Sequence, residues 1–193
     1  MNPPDRKHLL GLDPGLRVTG YGVLELAANG PKLAEAGVLR STAPTDEDDL
    51  PGRVKELYDG VVGLLDEWMP QAVAIEELYA HYDHPRTAIL MAHARGTFLL
   101  AAAQRSIPVF SYSATQVKKT LTGHGRASKE QVQHCVMREM KLAKLPEPHD
   151  VTDAIAIALC HVAAGSSILG GARSARFQGV DRRALFGKGD QPS

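Results

Sequence analysis

Four acidic residues stand at the ends of apolar segments, where an unpaired charge is unfavourable. Asp13 ends the run LLGLD, Glu76 ends the run AVAIE, and Asp150 and Asp153 open the segment DVTDAIAIALCHV. A carboxylate is costly to bury alone, so it normally meets a cation, a metal ion or several hydrogen-bond donors. If the fold brings these four acids together, their mutual repulsion requires cations that hold them.

Carboxylate oxygens are the ligands that Mg²⁺ and Mn²⁺ prefer, and open water positions leave room for phosphate oxygens of a substrate. Two such ions about 3.5–4 Å apart can activate a water and stabilise the leaving oxygen of a phosphodiester displacement. Arg17 could balance one acid at most. The acids therefore favour a metal-dependent nuclease or phosphotransferase. For Asp150 and Asp153 alone a structural explanation stays open, because two acids on the first turn of a helix complement its dipole.

The elements that must position these acids follow from hydrophobic periodicity. The sequence predicts strands over 7–13, 18–26, 32–41, 72–78 and 107–112. It predicts helices over 52–70, 86–104, 114–122, 129–142 and 149–164. Strands first, then strands alternating with helices, indicate an α/β fold with a mixed central sheet, a three-strand meander plus parallel strands, flanked by helices.

Alternation along the strands predicts which side chains share a face of the sheet. Asp13 lies on the face of Gly11, and Glu76 on the face of Ala74 and Ala72, whereas Glu77 points to the other face. These small neighbours leave room between the two acids. We therefore expect Asp13 and Glu76 to meet at the ends of central strands.

The charge is distributed unevenly along the chain, although the formal charges of its 193 residues sum to zero. Residues 46–67 carry eight acids and two bases, and residues 105–144 carry eight bases and two acids. One surface is expected to attract a polyanion such as DNA and another to repel it. Two helices with solvated charged faces explain the same counts equally well.

The sequence predicts one domain over residues 1–166, followed by a basic, Gly-rich tail, 167–193, without periodicity. The first residues are too short and too polar for a signal peptide, and no apolar run approaches the length of a membrane span. We expect the protein in the cytoplasm, with no membrane association.

Five motifs occur in one order over residues 7–164: GLDPGLRVTGYGV, AIEELY, ARG, VKKTLTGHGRASKEQV and DVTDAIAIALCH. Together they resemble the RuvC family of Holliday junction resolvases. The resemblance implies a ribonuclease H-like fold, a homodimer, and cutting of four-way DNA junctions during recombination and repair. It also implies Mg²⁺ or Mn²⁺, with two ions per site, and the branch-migration proteins RuvA and RuvB as partners.

The resemblance also assigns roles to residues by motif position. Asp13, Glu76, Asp150 and Asp153 are the implied metal-binding catalytic acids. A histidine can replace the third acid in this family, so His149 competes with Asp150 for that place, although the three-residue spacing to Asp153 favours Asp150. The implied DNA-binding residues are Tyr79, which would stack on an unpaired base, and the cations Lys118 and Lys129. From their positions in the sequence, we expect Lys119, beside Lys118, and Arg86, in the loop YAHYDHPRT, to bind DNA as well.

Two other functions are compatible with parts of the sequence. The run DPGLRVTGYG is similar to the first phosphate loop of actin-like ATPases and sugar kinases, but the chain has no further ordered Gly-rich loop for a nucleotide. A non-catalytic junction-binding protein of the same fold is the other alternative, and the presence of all four acids argues against it. Residues 88–103 are apolar around most of a helix, which leaves a second apolar side for a twofold partner or for other helices of the same chain.

Overall fold

The computed structural model describes residues 7–41, 49–78 and 85–168, except for the side chains of residues 85 and 166–168. The strands are β1 (His8–Asp13), β2 (Val18–Ala27), β3 (Gly30–Arg40), β4 (Ala72–Glu76) and β5 (Val109–Tyr112). The helices are α1 (Leu50–Trp68), α2 (Pro85–Gln104), α3 (Ala114–Thr122), α4 (Lys129–Met140) and α5 (His149–Ile168). Each predicted element is present, and α5 extends four residues beyond its predicted end. Tyr79, the acids at 46–48 and the tail from residue 169 lie outside the described residues.

The five strands form one mixed sheet in the order β3-β2-β1-β4-β5. The first three strands are an antiparallel meander, whereas β4 runs parallel to β1, and β5 parallel to β4. This confirms the predicted mixed sheet. Because β1 and β4 are parallel neighbours, their carboxyl ends meet at the same edge.

Helices cover both faces of the sheet. Helices α1 and α2 pack on the face that carries Leu10, Leu12, Val73 and Ile75. Helices α3, α4 and α5 pack on the opposite face, which carries Leu9 and the small residues Ala72 and Ala74. Alternation therefore directs Asp13 and Glu76 towards the second face, as predicted.

Glycines let α5 lie directly on β1 and β2. A Cβ atom at Gly11 would come 2.3 Å from the carbonyl oxygen of Ala154, and one at Gly20 would come 2.0 Å from that of Asp150. A Cβ atom at Gly22 would come 2.8 Å from the side-chain atom Cγ1 of Ile155. Because no side chain separates the layers, the first turn of α5 lies beside the end of β1.

Helix α1 of the acidic region and helices α3 and α4 of the basic region lie on opposite faces of the sheet. Arg105 is an exception to the predicted division. Its Nη2 atom donates to Oδ2 of Asp66 at 2.7 Å, because the end of α2 packs against α1. Arg105 therefore belongs with the acidic helix and not with the basic face. In the described part of the chain, no helix is long and apolar enough to cross a membrane.

Candidate active site

Asp13 and Glu76 form a half-buried carboxyl pair at the ends of β1 and β4. The last registered pair of these strands is Leu12 with Ile75, so the two acids come next, side by side. Burial and then the neighbouring Glu76 raise the pKa of Asp13 to about 8. Burial also raises the pKa of Glu76, although its hydrogen bond with Asp13 acts in the opposite direction. The shared proton is therefore favoured on Asp13, and the cations whose charges act on Glu76 are Lys129 and Lys118.

Asp153 is paired with a cation supplied by α4. Nζ of Lys129 donates to Oδ2 of Asp153 at 2.8 Å. Burial lowers the pKa of Lys129, but the contact with Asp153 and the charges of Asp13 and Asp150 outweigh it, so the pKa is raised overall. A lysine at a helix start opposes the helix dipole. The ion pair with Asp153 compensates for that unfavourable placement.

A capping box fixes the position of Lys129. The side chain of Ser128 accepts from the backbone amide of Gln131, and Gln131 Oε1 accepts from that of Ser128 at 2.8 Å. The predicted capping box is present, and α4 begins at Lys129. The box therefore places an ammonium group directly opposite the first turn of α5.

Asp150, and not His149, faces the other acids. The charge of Asp150 contributes to the raised pKa of Asp13. The ring of His149 turns to α4, where Nδ1 lies 2.9 Å from Nε2 of the buried Gln133. His149 thus joins α4 to α5, in parallel with the Lys129–Asp153 contact one turn away.

Most of the predicted site residues line one cavity of about 210 Å³. The charged groups that line it are Asp13, Glu76, Asp153, Lys118 and Lys129. Asp150 and Arg86 line an adjacent cavity that shares Asp13. Lys119 is exposed on α3 and lines neither of these two cavities. The structure therefore brings seven of the nine predicted residues around Asp13, leaves Lys119 apart, and does not describe Tyr79.

The donor chemistry of these acids fits a hard divalent cation, because all four groups offer oxygen. Within residues 7–41, 49–78 and 85–168, no three acidic, histidine or cysteine side chains are grouped closely enough to hold one ion as they stand. The contacts explain why: Asp13 and Glu76 share a hydrogen bond, and Asp153 is paired with Lys129. A metal ion bound here would replace the shared proton and the ammonium group.

Arg95 positions Glu76, a role that the sequence did not indicate. Its Nε donates to the carbonyl oxygen of Glu76 at 2.9 Å, and its Nη2 donates to Oγ of Ser111 at 2.6 Å. Burial lowers the pKa of this guanidinium, opposed by the charge of Glu77. Arg95 is the cation within the ARG motif, and a single arginine in the apolar run of residues 88–103 was the signal that could have identified it.

Comparisons with known proteins agree with this geometry. The sequence model described as "Crossover junction endodeoxyribonuclease RuvC" matches residues 9–161. A protein of that name from Rhodopirellula baltica is 46% identical over 160 residues, covering 82% of this chain and 87% of the relative. Another from Desulforamulus reducens is 44% identical over 165 residues, covering 84% of this chain and 97% of the relative.

Solved structures give the same result for the fold. The structure described as "T. thermophilus RuvC in complex with Holliday junction substrate" has 33% identity and a TM-score of 0.76, covering 83% of this chain and 96% of that one. The yeast mitochondrial Holliday junction resolvase has a TM-score of 0.58 at 12% identity, covering 83% of this chain and 81% of that one. The second likeness concerns the fold alone. The predicted ribonuclease H-like fold is confirmed.

Proposed function

The chain belongs to the RuvC family of crossover junction endodeoxyribonucleases, and we propose that Asp13, Glu76, Asp150 and Asp153 are the metal-binding residues of its active site. The protein is a nuclease whose substrate is Holliday junction DNA, and it acts in recombination and repair. A non-catalytic junction-binding protein is the weaker alternative. The half-buried Asp13–Glu76 pair carries the assignment, because two adjacent carboxyl groups need either a shared proton or a bound cation between them, and a metal ion can take the place of the proton.

The family depends on divalent metal, and for this chain we propose Mg²⁺ or Mn²⁺, with two ions per site. When bound, such ions activate a water and stabilise the leaving oxygen of an in-line phosphodiester displacement. Asp13 and Glu76, fixed by adjacent strands, would hold them from one side. Asp150 and Asp153 would hold them from the first turn of α5. Arg95 keeps Glu76 in place through the carbonyl of the same residue.

The cations around the acids are proposed to bind DNA. Lys118 and Lys129 line the same cavity as the acids, so each can reach a phosphate next to the one that is cut. Arg86 is exposed at the start of α2 and lines the adjacent cavity. Lys119 would contact DNA farther from the cut. Tyr79, three residues beyond Glu76, is proposed to stack on an unpaired base at the crossover.

The exposed side of α2 supports a homodimer. Ile89 and Leu100 are 59% and 52% exposed, and Ala92, Gly96 and Ala103 continue the same exposed stripe at helical spacing. Small residues between two large apolar ones allow a second helix to approach closely. A twofold dimer also suits a junction in which two opposing strands must be cut.

Three expectations rest on the family resemblance and the sequence without a structural observation. RuvA and RuvB are proposed as partners, and the cytoplasm as the location. The nuclease domain is proposed to span residues 1–166, with 167–193 as a basic tail.

One experiment tests the proposed function directly. A synthetic mobile four-way junction, labelled on two opposing strands, is incubated with the protein and with Mg²⁺, Mn²⁺ or EDTA. Symmetric nicks across the crossover that require the metal are expected. Binding without any cut in either metal would favour the non-catalytic alternative.

A further inference from the structure

A second cavity, of about 610 Å³, borders the site from the other face of the sheet. It shares Asp13 with the cavity that contains Lys118 and Lys129, and the two have no other lining residue in common. Its walls come from the β1–β2 turn and from the first turns of α1 and α2, with Asp150 at its edge. Asp13 therefore lies between two separate openings.

The cations of this second cavity are all arginines, from three different elements. Arg17 comes from the β1–β2 turn, Arg53 from α1 and Arg86 from α2. Arg53 is only 8% exposed, which is unusual for a guanidinium, and it lies within the region that the sequence marks as acidic. Counting charges along the chain therefore conceals a cation that the fold assigns to the site.

Hydrogen bonds hold the turn that carries Arg17. Oγ1 of Thr19 donates to the carbonyl oxygen of Gly15 at 2.8 Å, and Oγ of Ser41 donates to that of Leu16 at 3.0 Å. The amide of Ser41 donates to the carbonyl oxygen of Arg17 itself, at 3.2 Å. The backbone of Arg17 is thus fixed relative to Asp13, while its side chain is exposed.

These placements identify the chemistry of the ligand. A guanidinium group presents a planar fork of donors that matches a phosphate. Three such groups outnumber the two carboxylates of the cavity, Asp13 and Asp150, which favours a polyanion over a neutral ligand. Lysines on one side of Asp13 and arginines on the other mark a path for a negatively charged chain across it. We propose, on the basis of the proposed function, that Arg17 and Arg53 bind a phosphate of the cut strand, on the side of the scissile phosphate away from Lys118 and Lys129.

The test couples a protein change to a single phosphate of the DNA. Junctions that carry one neutral methylphosphonate, moved position by position along the cut strand, are bound by the wild-type protein and by Arg17→Gln with Ca²⁺ replacing Mg²⁺. The loss of one phosphate contact should reduce the slope of log affinity against log salt by about 0.9. When the methylphosphonate replaces the phosphate that Arg17 contacts, Arg17→Gln should not reduce the affinity further, because the contact between Arg17 and that phosphate is already lost.

Control variants separate this contact from general charge and from folding. Arg105→Gln removes the same type of side chain from the pair with Asp66, outside the cavity, and should leave affinity and slope unchanged. Arg53→Lys keeps the charge of a nearly buried residue but loses the fork, and should show the same positional coupling as Arg17→Gln. A titration with inorganic phosphate, followed by melting temperature, tests whether free phosphate is the ligand instead.

The outcomes are distinct from those of the proposed function, because the wild-type protein is first shown to cut the unmodified junction. A wild-type protein that cuts, with additive effects of Arg17→Gln and the methylphosphonate at every position, would overturn the inference and leave the nuclease assignment intact. Stabilisation by millimolar inorganic phosphate without any positional coupling would overturn it as well, in favour of a small-anion site.

Discussion

Nζ of Lys129 lies 2.8 Å from Oδ2 of Asp153, so the chain itself supplies a cation to one of the four proposed metal ligands. The side chain of Lys129 is 49% exposed and that of Asp153 is 32% exposed, which leaves the pair accessible to an incoming ion or phosphate. A metal ion at Asp153 would displace the ammonium group and release Lys129 to the DNA. Metal binding and DNA binding would then favour each other through this one exchange.

Lys129→Met is therefore expected to bind Mn²⁺ a few-fold more tightly in the absence of DNA while it cuts the junction more slowly. A partly exposed ion pair is worth about 0.2–1 kcal/mol, which sets the size of the gain. Isothermal titration with Mn²⁺ measures the first effect and a single-turnover assay the second. Lys118→Met removes the same charge from the same cavity without a contact to Asp153, and should gain less. Equal gains in both variants would mean that the ion pair does not compete with the metal.

Asp13→Asn, Glu76→Gln and Asp153→Asn should each abolish cutting and leave junction binding nearly unchanged. An amide keeps the shape of the carboxyl group but is a poor ligand for a hard cation, so the loss should exceed the roughly 10–100-fold typical of outer-shell partners. Gel shift and cleavage assays measure the two effects. Asp59→Asn, an exposed acid on α1 paired with Lys55, serves as the control. Near wild-type cutting by any one variant would remove that acid from the site.

The raised pKa of Asp13 predicts that Asp13→Asn stabilises the metal-free protein at alkaline pH. The folded state holds the proton more tightly, so the stability contributed by protonated Asp13 is complete below its ordinary pKa of 3.8 and is lost as the pH rises towards about 8. Asparagine does not titrate, so the variant does not lose stability at this position as the pH rises. In EDTA, the melting temperature of the variant minus that of the wild type should rise from pH 5 to pH 8, by at least about 2–4 °C, equivalent to about 1 kcal/mol.

Glu139→Gln, on the exposed surface of α4, should show no such change with pH. Added Mg²⁺ should stabilise the wild type at pH 8 but not Asp13→Asn, because a bound cation removes the charge penalty. A difference between Asp13→Asn and the wild type that stays constant from pH 5 to pH 8 would contradict the assignment of the shared proton to Asp13.

Tyr79→Ala is expected to lose more cutting on an intact junction than on one that is already unpaired at the crossover. Stacking of an aromatic ring on a base contributes about 1–3 kcal/mol, and an unpaired base costs least to capture. Tyr79→Phe keeps the ring and should remain active. Cleavage rates on the two substrates give the ratio. Equal impairment on both substrates, or an inactive Tyr79→Phe, would argue against stacking.

Leu100→Glu should convert a dimer into a monomer if the exposed stripe of α2 is the twofold contact. A central apolar residue of an interface contributes about 2 kcal/mol or more, which corresponds to about a 30-fold higher dissociation constant. Sedimentation velocity over a concentration series measures it. Met69→Glu, at an equally exposed apolar position beyond the end of α1, is the matched control. A Leu100→Glu protein that remains dimeric would move the interface away from α2.

The fold and the acid cluster were predictable because both follow from short-range patterns. Alternation along β1 and β4 fixes the face of Asp13 and Glu76, and a parallel pairing of adjacent strands brings their ends together. The three-residue spacing of Asp150 and Asp153 places them on one side of α5. The faces and the helix spacing need only a few consecutive residues, whereas the pairing of β1 with β4 joins distant segments and was expected from the order of strands and helices.

The contacts that hold the acids in place were not predictable in this way. Arg95 reaches Glu76 from 19 residues away, and Gln133 reaches His149 from 16. Both contacts depend on how a helix crosses the sheet or another helix, which periodicity does not determine. Arg53 lies in the segment with a net negative charge, and the sum of charges along that segment does not show on which side of the helix each side chain lies.

Gly20 determines how closely α5, which carries the proposed metal ligands Asp150 and Asp153, can approach Asp13 at the end of β1. Two cations that share a reaction must lie about 3.5–4 Å apart, so the carboxyl groups of β1 and α5 tolerate little change in their separation. Since a methyl group at Gly20 would overlap the carbonyl oxygen of Asp150, even alanine would wedge the start of α5 away from Asp13. The spacing of the proposed metal-binding acids thus depends on Gly20 having only a hydrogen atom where other residues carry a side chain.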